Sequence, residues 1–90
     1  EQPTFLYLHY LDPHDPYDPP GEFRDRYTGA LTKARFEYPE RAAEYLNRYD
    51  GEIRYLDTEL GKLFDRLKSK GLYEDAVILI VGDHGEQFME

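Results

Sequence analysis

The sequence predicts an α/β protein in which a strand, one long helix and a second strand form a crossover of a mixed, mostly parallel sheet. Three observations carry this prediction: an apolar run at residues 4–11, a helical apolar pattern at residues 40–70, and a second apolar run at residues 76–81. Parallel strands need a connection of about a dozen residues or more, and the helical segment is long enough. Because each strand would need further neighbours, we expect the sheet to be incomplete.

The first predicted strand, residues 4–11, is apolar or aromatic on both alternating faces, as in a strand buried on both sides. His9 within it is expected to be a core histidine rather than a ligand. The proline-rich residues 12–21 end the strand, because proline donates no hydrogen bond to a sheet ladder, and they contain His14. Residues 22–39 predict an irregular connection.

A single helix is predicted for residues 40–70, because apolar residues recur there at alternating steps of four and three and so share one face. Gly71 suits the left-handed position that ends a helix. The same stripe would also fit a coiled-coil seam, which makes a non-catalytic acidic helical interaction module the alternative to an enzyme. The stripe consists of Ala42, Leu46, Tyr49, Ile53, Leu56, Leu60, Leu63 and Leu67. The second predicted strand follows, rich in β-branched residues.

The composition excludes several classes of function. Nineteen acidic against eleven basic residues give a net charge of −8, which argues against binding to nucleic acid. The chain has no cysteine, so it can form no disulfide, thiolate metal site or cysteine nucleophile. No run of about 18 apolar residues predicts a membrane span, and no signal-peptide pattern is seen. The localisation is therefore left open.

The polar residues that follow the two predicted strands form the candidate site. Ligands of parallel α/β sheets bind beyond the carboxyl ends of strands, so residues 12–20 and 82–86 should meet on one rim. Asp83 and His84 offer an oxygen and a nitrogen donor that suit Ca²⁺, Mg²⁺, Mn²⁺ or Zn²⁺. His14 can donate a hydrogen bond or charge to an anionic substrate group. The alternatives without a role in binding are a helix cap at Asp83 and a surface histidine at position 14.

Three further residues lie near this predicted rim. Glu86 is expected to be either a partner of His84 or an acid at the start of a helix. Of the nine tyrosines, Tyr10 and Tyr17 are the candidates for a functional role, because packing explains those on the predicted helix.

Three blocks of the sequence resemble, in order, the middle of a sulfatase of the alkaline-phosphatase superfamily. They are FLYLHYLDPHDPY at residues 5–17, YDGEIRYLD at residues 49–57 together with Gly61, and VILIVGDHGE at residues 77–86. The resemblance covers nearly the whole chain. It implies an alkaline-phosphatase-like fold, of which residues 1–90 would be a single internal fragment of the catalytic domain.

The resemblance implies a metal-dependent hydrolase of small-molecule or carbohydrate sulfate esters. Asp83 and His84 match the pair that ligates the divalent cation, usually Ca²⁺, and His14 matches the histidine that contacts the sulfate group. The family's nucleophile is a formylglycine made from a Cys or Ser nearer the N-terminus, and these 90 residues carry no such motif. The 90 residues alone should therefore be inactive. Such enzymes are commonly exported to the periplasm or secreted.

One departure from the family pattern bears on the substrate. Many sulfatases have Asp-Asn where this chain has Asp83 and His84. The Asp-His form is shared with phosphonate monoester hydrolases, choline-sulfatase-like enzymes and phosphoglycerol transferases of the superfamily. A phosphonate or phosphodiester hydrolase or a phosphoglycerol transferase, with Mn²⁺ or Zn²⁺, is therefore the alternative enzymatic interpretation.

Overall fold

The computed structural model describes residues 3–29 and 38–88. In these ranges it contains a short 3₁₀ helix at Gly21–Phe23 and one long α-helix, α1, at Pro39–Ser69. The radius of gyration is 17.0 Å, against about 12 Å for a compact chain of this length, because the long helix sets an extended shape. Neither helix has the combination of length and apolar character that a membrane span requires.

The predicted helix and its end are confirmed. Pro39 stands in the first turn of α1, where its missing N–H has no intrahelical partner to lose. Gly71 follows the helix with φ of 70°. The N–H of Gly71 donates to the carbonyl of Lys68 at 3.0 Å, and that of Leu72 donates to Leu67 at 2.9 Å. These two bonds are the pattern of a glycine-terminated helix end.

The prediction of an α/β crossover is wrong. In the described part of the chain no residue lies in a strand, so there is no sheet for α1 to cross. The side chains of the two apolar runs are largely exposed, including Phe5 and Val77, each at 90%. His9, expected in the core, is exposed as well. The physical reason is that a strand needs hydrogen bonds from a neighbour, whereas an apolar pattern records only a tendency towards burial.

The small core lies where residues 17–23 pack against α1. Tyr17 and Pro19 are buried on the loop side, and Ala42, Gly51 and Glu52 are buried on the helix side. The predicted irregular connection at residues 22–39 falls partly on residues 30–37, which lie outside the described ranges. The core therefore holds the proline-rich loop that carries His14 against the helix.

Candidate functional site

Gly51 allows the proline-rich loop to approach the backbone of α1. A Cβ atom at this position would collide with the carbonyl oxygen of Phe23 and would stand 3.0 Å from Cγ of Pro19. Glycine inside a helix costs about 0.8–1 kcal/mol relative to alanine, and the close contact accounts for its presence here. Gly51 is therefore a docking position for the loop.

Glu52 anchors the same loop through a buried carboxylate. Its Oε1 accepts a hydrogen bond from the backbone N–H of Asp18 at 2.8 Å, and the residue is only 5% exposed. Burial raises the pKa of Glu52, the Asp18 N–H opposes that shift, and the charges of Asp12 and Asp18 reinforce it. The loop is held by a group whose ionised form is disfavoured by burial but stabilised by a hydrogen bond.

Tyr17 connects the loop to the turn after the second apolar run. Its hydroxyl donates a hydrogen bond of 2.5 Å to Oε2 of Glu86, 69 positions away in the sequence. The residue is 6% exposed, and its ring packs against the rings of Tyr45, Tyr49 and Phe88, with centroid distances of 6.3, 5.4 and 6.2 Å. Burial, followed by the bond to Glu86, raises the pKa of Tyr17 far above its usual value.

Glu86 interacts electrostatically with both candidate histidines. Hydrogen bonds from Tyr17 and from the Gln87 N–H lower the pKa of Glu86, and attraction to His84 and His14 lowers it further. Both imidazoles are thus close enough to interact electrostatically with one carboxylate. Residues 12–20 and 82–86 therefore meet, as the sequence predicted, although the contact is made over α1 and not on the rim of a sheet.

Asp83 and His84 form a compact donor pair on the turn. Oδ1 of Asp83 accepts the backbone N–H of His84 at 2.9 Å, and Oδ2 lies 3.8 Å from Nε2 of His84. Nδ1 of His84 is 2.7 Å from the Gly85 carbonyl, so Nδ1 carries the proton and the neutral ring presents its lone pair at Nε2. The Gly85 carbonyl, followed by the charge of Asp83, raises the pKa of His84.

The donor pair fits a divalent cation in part. Two atoms 3.8 Å apart can both reach one ion, because zinc-type bonds are about 2.0–2.2 Å long. Across residues 3–29 and 38–88, no group of three or more His, Cys, Asp or Glu side chains is arranged to hold a metal. The assignment of Asp83 and His84 as ligands stays a prediction, and further ligands would have to come from outside these ranges.

His14 is exposed on the proline-rich loop. Its Nδ1 lies 2.6 Å from the carbonyl oxygen of Asp15, so His14, like His84, donates from Nδ1 to the backbone of the next residue. Nε2 is the second ring nitrogen, and in the doubly protonated ring it can donate a hydrogen bond to an anion. Its role in binding substrate stays a prediction.

Sequence reasoning missed the residues that bring the site together. Tyr17 was a candidate only by its place near the rim, and Glu86 only as a neighbour of His84. Glycine next to an acid in the middle of a long helix, as at Gly51 and Glu52, was the available signal of a close approach. Tyr10, the other candidate tyrosine, is 44% exposed.

Comparison with known proteins gives one family match and several relatives. The profile of the family described as Sulfatase matches residues 1–90. Lipoteichoic acid synthase of Staphylococcus saprophyticus is 34% identical over 84 residues, which are 93% of this chain and 12% of that protein. Lipoteichoic acid synthase 1 of Bacillus subtilis is 33% identical over 84 residues, with the same coverage. An uncharacterized sulfatase of Escherichia coli, YdeN, is 29% identical over 85 residues, 94% of this chain and 13% of that protein.

The chain thus spans about one eighth of the length of the curated relatives that it matches over most of its residues. No solved structure matches it significantly.

Proposed function

The chain belongs to the sulfatase family, and from that premise we propose that it supplies part of the active site of a phosphoglycerol transferase. The observation that carries the proposal is the similarity, over 93% of the chain, to two proteins named lipoteichoic acid synthase. The pairing of Asp83 with His84 is compatible with the same branch, since this Asp-His form resembles that of phosphoglycerol transferases as well as that of choline-sulfatase-like enzymes. The substrate would be a phosphodiester that carries glycerol phosphate.

In this proposal Asp83 and His84 hold a divalent cation. A nitrogen donor favours Mn²⁺ or Zn²⁺ over Ca²⁺, which prefers oxygen ligands. The hydrogen bond between Nδ1 of His84 and Gly85 fixes the ring so that Nε2 is the ligating atom. When bound, the cation would withdraw charge from the oxygens of the transferred phosphoryl group.

His14 would bind the phosphoryl oxygens from the other side. Its Nδ1–H donates to the Asp15 carbonyl, so Nε2 is the nitrogen left for an anion, to which it would donate in the doubly protonated form of the ring. The contacts of Asp18 with Glu52 and of Pro19 with Gly51 would hold the loop in place while substrate binds.

The nucleophile would be the hydroxyl of a serine or threonine elsewhere in the protein. As its oxygen bonds to phosphorus, the bond from phosphorus to the leaving alcohol breaks, and that alcohol takes up the proton which the nucleophile loses. An acceptor alcohol then attacks the same phosphorus, the bond from phosphorus to the serine or threonine oxygen breaks, and that oxygen takes up the proton which the acceptor loses. This chain would contribute binding and orientation to both steps.

Hydrolysis of sulfate esters is the second candidate, supported by the family match and by the relative named as a sulfatase. It would require a formylglycine nucleophile, made from a cysteine or serine elsewhere in the protein.

The proposal is tested by assaying the full-length protein on two nitrophenyl esters, one of glycerol phosphate and one of sulfate, with Mn²⁺, Zn²⁺ or Ca²⁺ added separately. We expect nitrophenol release from the glycerol phosphate ester, and transfer of glycerol phosphate to added glycerol. Activity on the sulfate ester alone would overturn the proposal in favour of the second candidate.

A further inference from the structure

We propose that the hydrogen bond between Tyr17 and Glu86 positions the two halves of the site relative to each other, so that both residues act on the reaction without touching the substrate. Tyr17 stands three residues after His14, and Glu86 stands two residues after His84. The bond between them joins the two segments directly at 2.5 Å. This inference rests on the proposed function, because it takes His14 and the pair of Asp83 and His84 as the groups to be aligned.

The tyrosine side of this bond is fixed by the helix. The Tyr17 ring is buried and stands edge-on to Tyr45 and Tyr49, two residues one turn apart on α1. One residue further along the loop, Asp18 is bound by Glu52. The Tyr17 hydroxyl is therefore held in place by packing, and its hydrogen bond restricts the position of the side chain that accepts it.

The glutamate side is held at two points. Glu86 accepts a hydrogen bond from the Tyr17 hydroxyl. The ring centroid of Phe88 lies 5.0 Å from that of Tyr49 and 6.2 Å from that of Tyr17. By contrast, the side chains of Asp83 and His84 are 85% and 74% exposed, so packing within the described residues does not set their position. The hydrogen bond to Tyr17 is the polar contact that joins the turn to the loop, and the packing of Phe88 supports it.

The consequence concerns alignment. A transferred phosphoryl group that is held by His14 on one side and by the turn on the other requires a set distance between them, and a misplacement of about 1 Å can cost about a hundredfold in rate. Loss of the Tyr17 hydroxyl should therefore lower kcat more than it raises KM. A purely structural tyrosine would instead lower the melting temperature and leave the kinetics of the folded fraction unchanged.

The test replaces Tyr17 with phenylalanine in the full-length protein, which keeps the packed ring and removes only the donor. We expect kcat to fall about tenfold or more, on whichever ester the wild type cleaves, with bound metal unchanged. Tyr45→Phe is the matched control, because that ring packs on Tyr17 but its hydroxyl is not the donor to Glu86; its kcat should equal that of the wild type. Equal kcat values for Tyr17→Phe and the wild type would overturn the proposal.

Variants at Glu86 separate the hydrogen bond from other effects. Glu86→Gln keeps an oxygen acceptor for the phenol and should retain more activity than Glu86→Leu, which keeps none. The double variant Tyr17→Phe/Glu86→Leu should be no worse than the poorer single variant, since both remove one contact. Additive losses would contradict a shared role.

A binding measurement keeps this test separate from that of the proposed function. Inorganic phosphate, titrated calorimetrically into the metal-loaded protein, probes the same alignment without turnover. Tyr17→Phe should weaken phosphate binding, by a smaller factor than it lowers kcat, while the affinity for the metal alone is unchanged. Unaltered phosphate affinity would overturn the positioning role even if neither ester is cleaved, whereas the absence of phosphodiester activity in the wild type would count against the proposed function alone.

Discussion

Asp83 organises the turn at the level of single atoms. Its two carboxylate oxygens face the backbone N–H and the Nε2 of His84, so the same side chain shapes the turn and presents an oxygen donor beside the imidazole. We expect Asp83→Ala in the full-length protein to lose the bound metal and to lower turnover about a hundredfold or more. Metal content after gel filtration, measured with activity, checks this.

Asp65→Ala is the matched control for that prediction, because Asp65 is an exposed aspartate on α1. It should keep both metal and activity. If Asp83→Ala also keeps both, Asp83 is not a ligand.

His14 is expected to bind the phosphoryl group without holding the metal. Its Nδ1 is bound to the Asp15 carbonyl, which leaves Nε2 for the phosphoryl group, and a hydrogen bond to a charged group contributes about 1.5–3 kcal/mol. His14→Ala should therefore lower kcat/KM about 10- to 100-fold while the metal content stays that of the wild type. His9→Ala, at an exposed histidine of the preceding segment, is the control. Loss of metal in His14→Ala would move this residue to the ligand set.

Contacts between residues that are close in sequence can be predicted from the sequence, and contacts between distant residues cannot. Asp83 and His84 are adjacent in sequence, so their pairing needed no knowledge of the fold. The bond from Tyr17 to Glu86 spans 69 positions and could not be predicted from spacing, because it depends on how the loop packs on α1.

Substitution by alanine should have opposite effects on stability at two glycines of α1. Beside Gly51 an added Cβ would meet the Phe23 carbonyl, whereas beside Gly61 it would meet nothing within 4 Å. Gly51→Ala should therefore destabilise the protein by about 1–3 kcal/mol through forced displacement of the loop. Gly61→Ala should stabilise it by up to about 1 kcal/mol through better helix propensity. Melting temperatures of the two variants check this, and equal shifts would contradict the docking role of Gly51.

Glu52 makes stability depend on pH. Burial raises its pKa in the folded state above the unfolded value of about 4.3. Its contribution is therefore fully present below about pH 4.3 and is lost as pH rises through the higher folded pKa. Glu52→Gln stays neutral and keeps an acceptor for the Asp18 N–H. The melting temperature of this variant relative to the wild type should thus rise between pH 4 and pH 8.

Glu74→Gln, at an exposed position, is the control for the pH series and should track the wild type at every pH. A difference between Glu52→Gln and the wild type that is constant with pH would contradict the account of Glu52.

The elements differ in how far the sequence predicts them. The hydrogen bonds of α1 lie within one segment, and its stop depends on Gly71 alone, so a local pattern sufficed for both. The two apolar runs were predicted as strands, but strand hydrogen bonds need a partner, and the described residues provide none. The two apolar runs are therefore not strands in the described residues, although their composition is typical of strands.

For the molecule as a whole, the family was predictable and the fold class was not. Three sequence blocks in the order of the family sufficed to identify it, and the match to residues 1–90 confirms it. The prediction of an α/β fold was wrong because a sheet forms only when several strands pair with one another. The extended shape of this chain is set by one helix. Residues 12–20 and 82–86 nevertheless lie in contact, because that contact depends on the docking of the proline-rich loop at Gly51 and Glu52 and not on a sheet.

The central claim, that this chain serves phosphoryl transfer, is tested most directly by identifying the nucleophile of the full-length protein. The protein is incubated briefly with the nitrophenyl ester of glycerol phosphate, quenched in acid, digested and analysed by mass spectrometry. We predict a serine or threonine that has not been converted to formylglycine and that carries glycerol phosphate on its hydroxyl oxygen. A formylglycine in place of that residue, with no phosphorylated peptide, would contradict the claim.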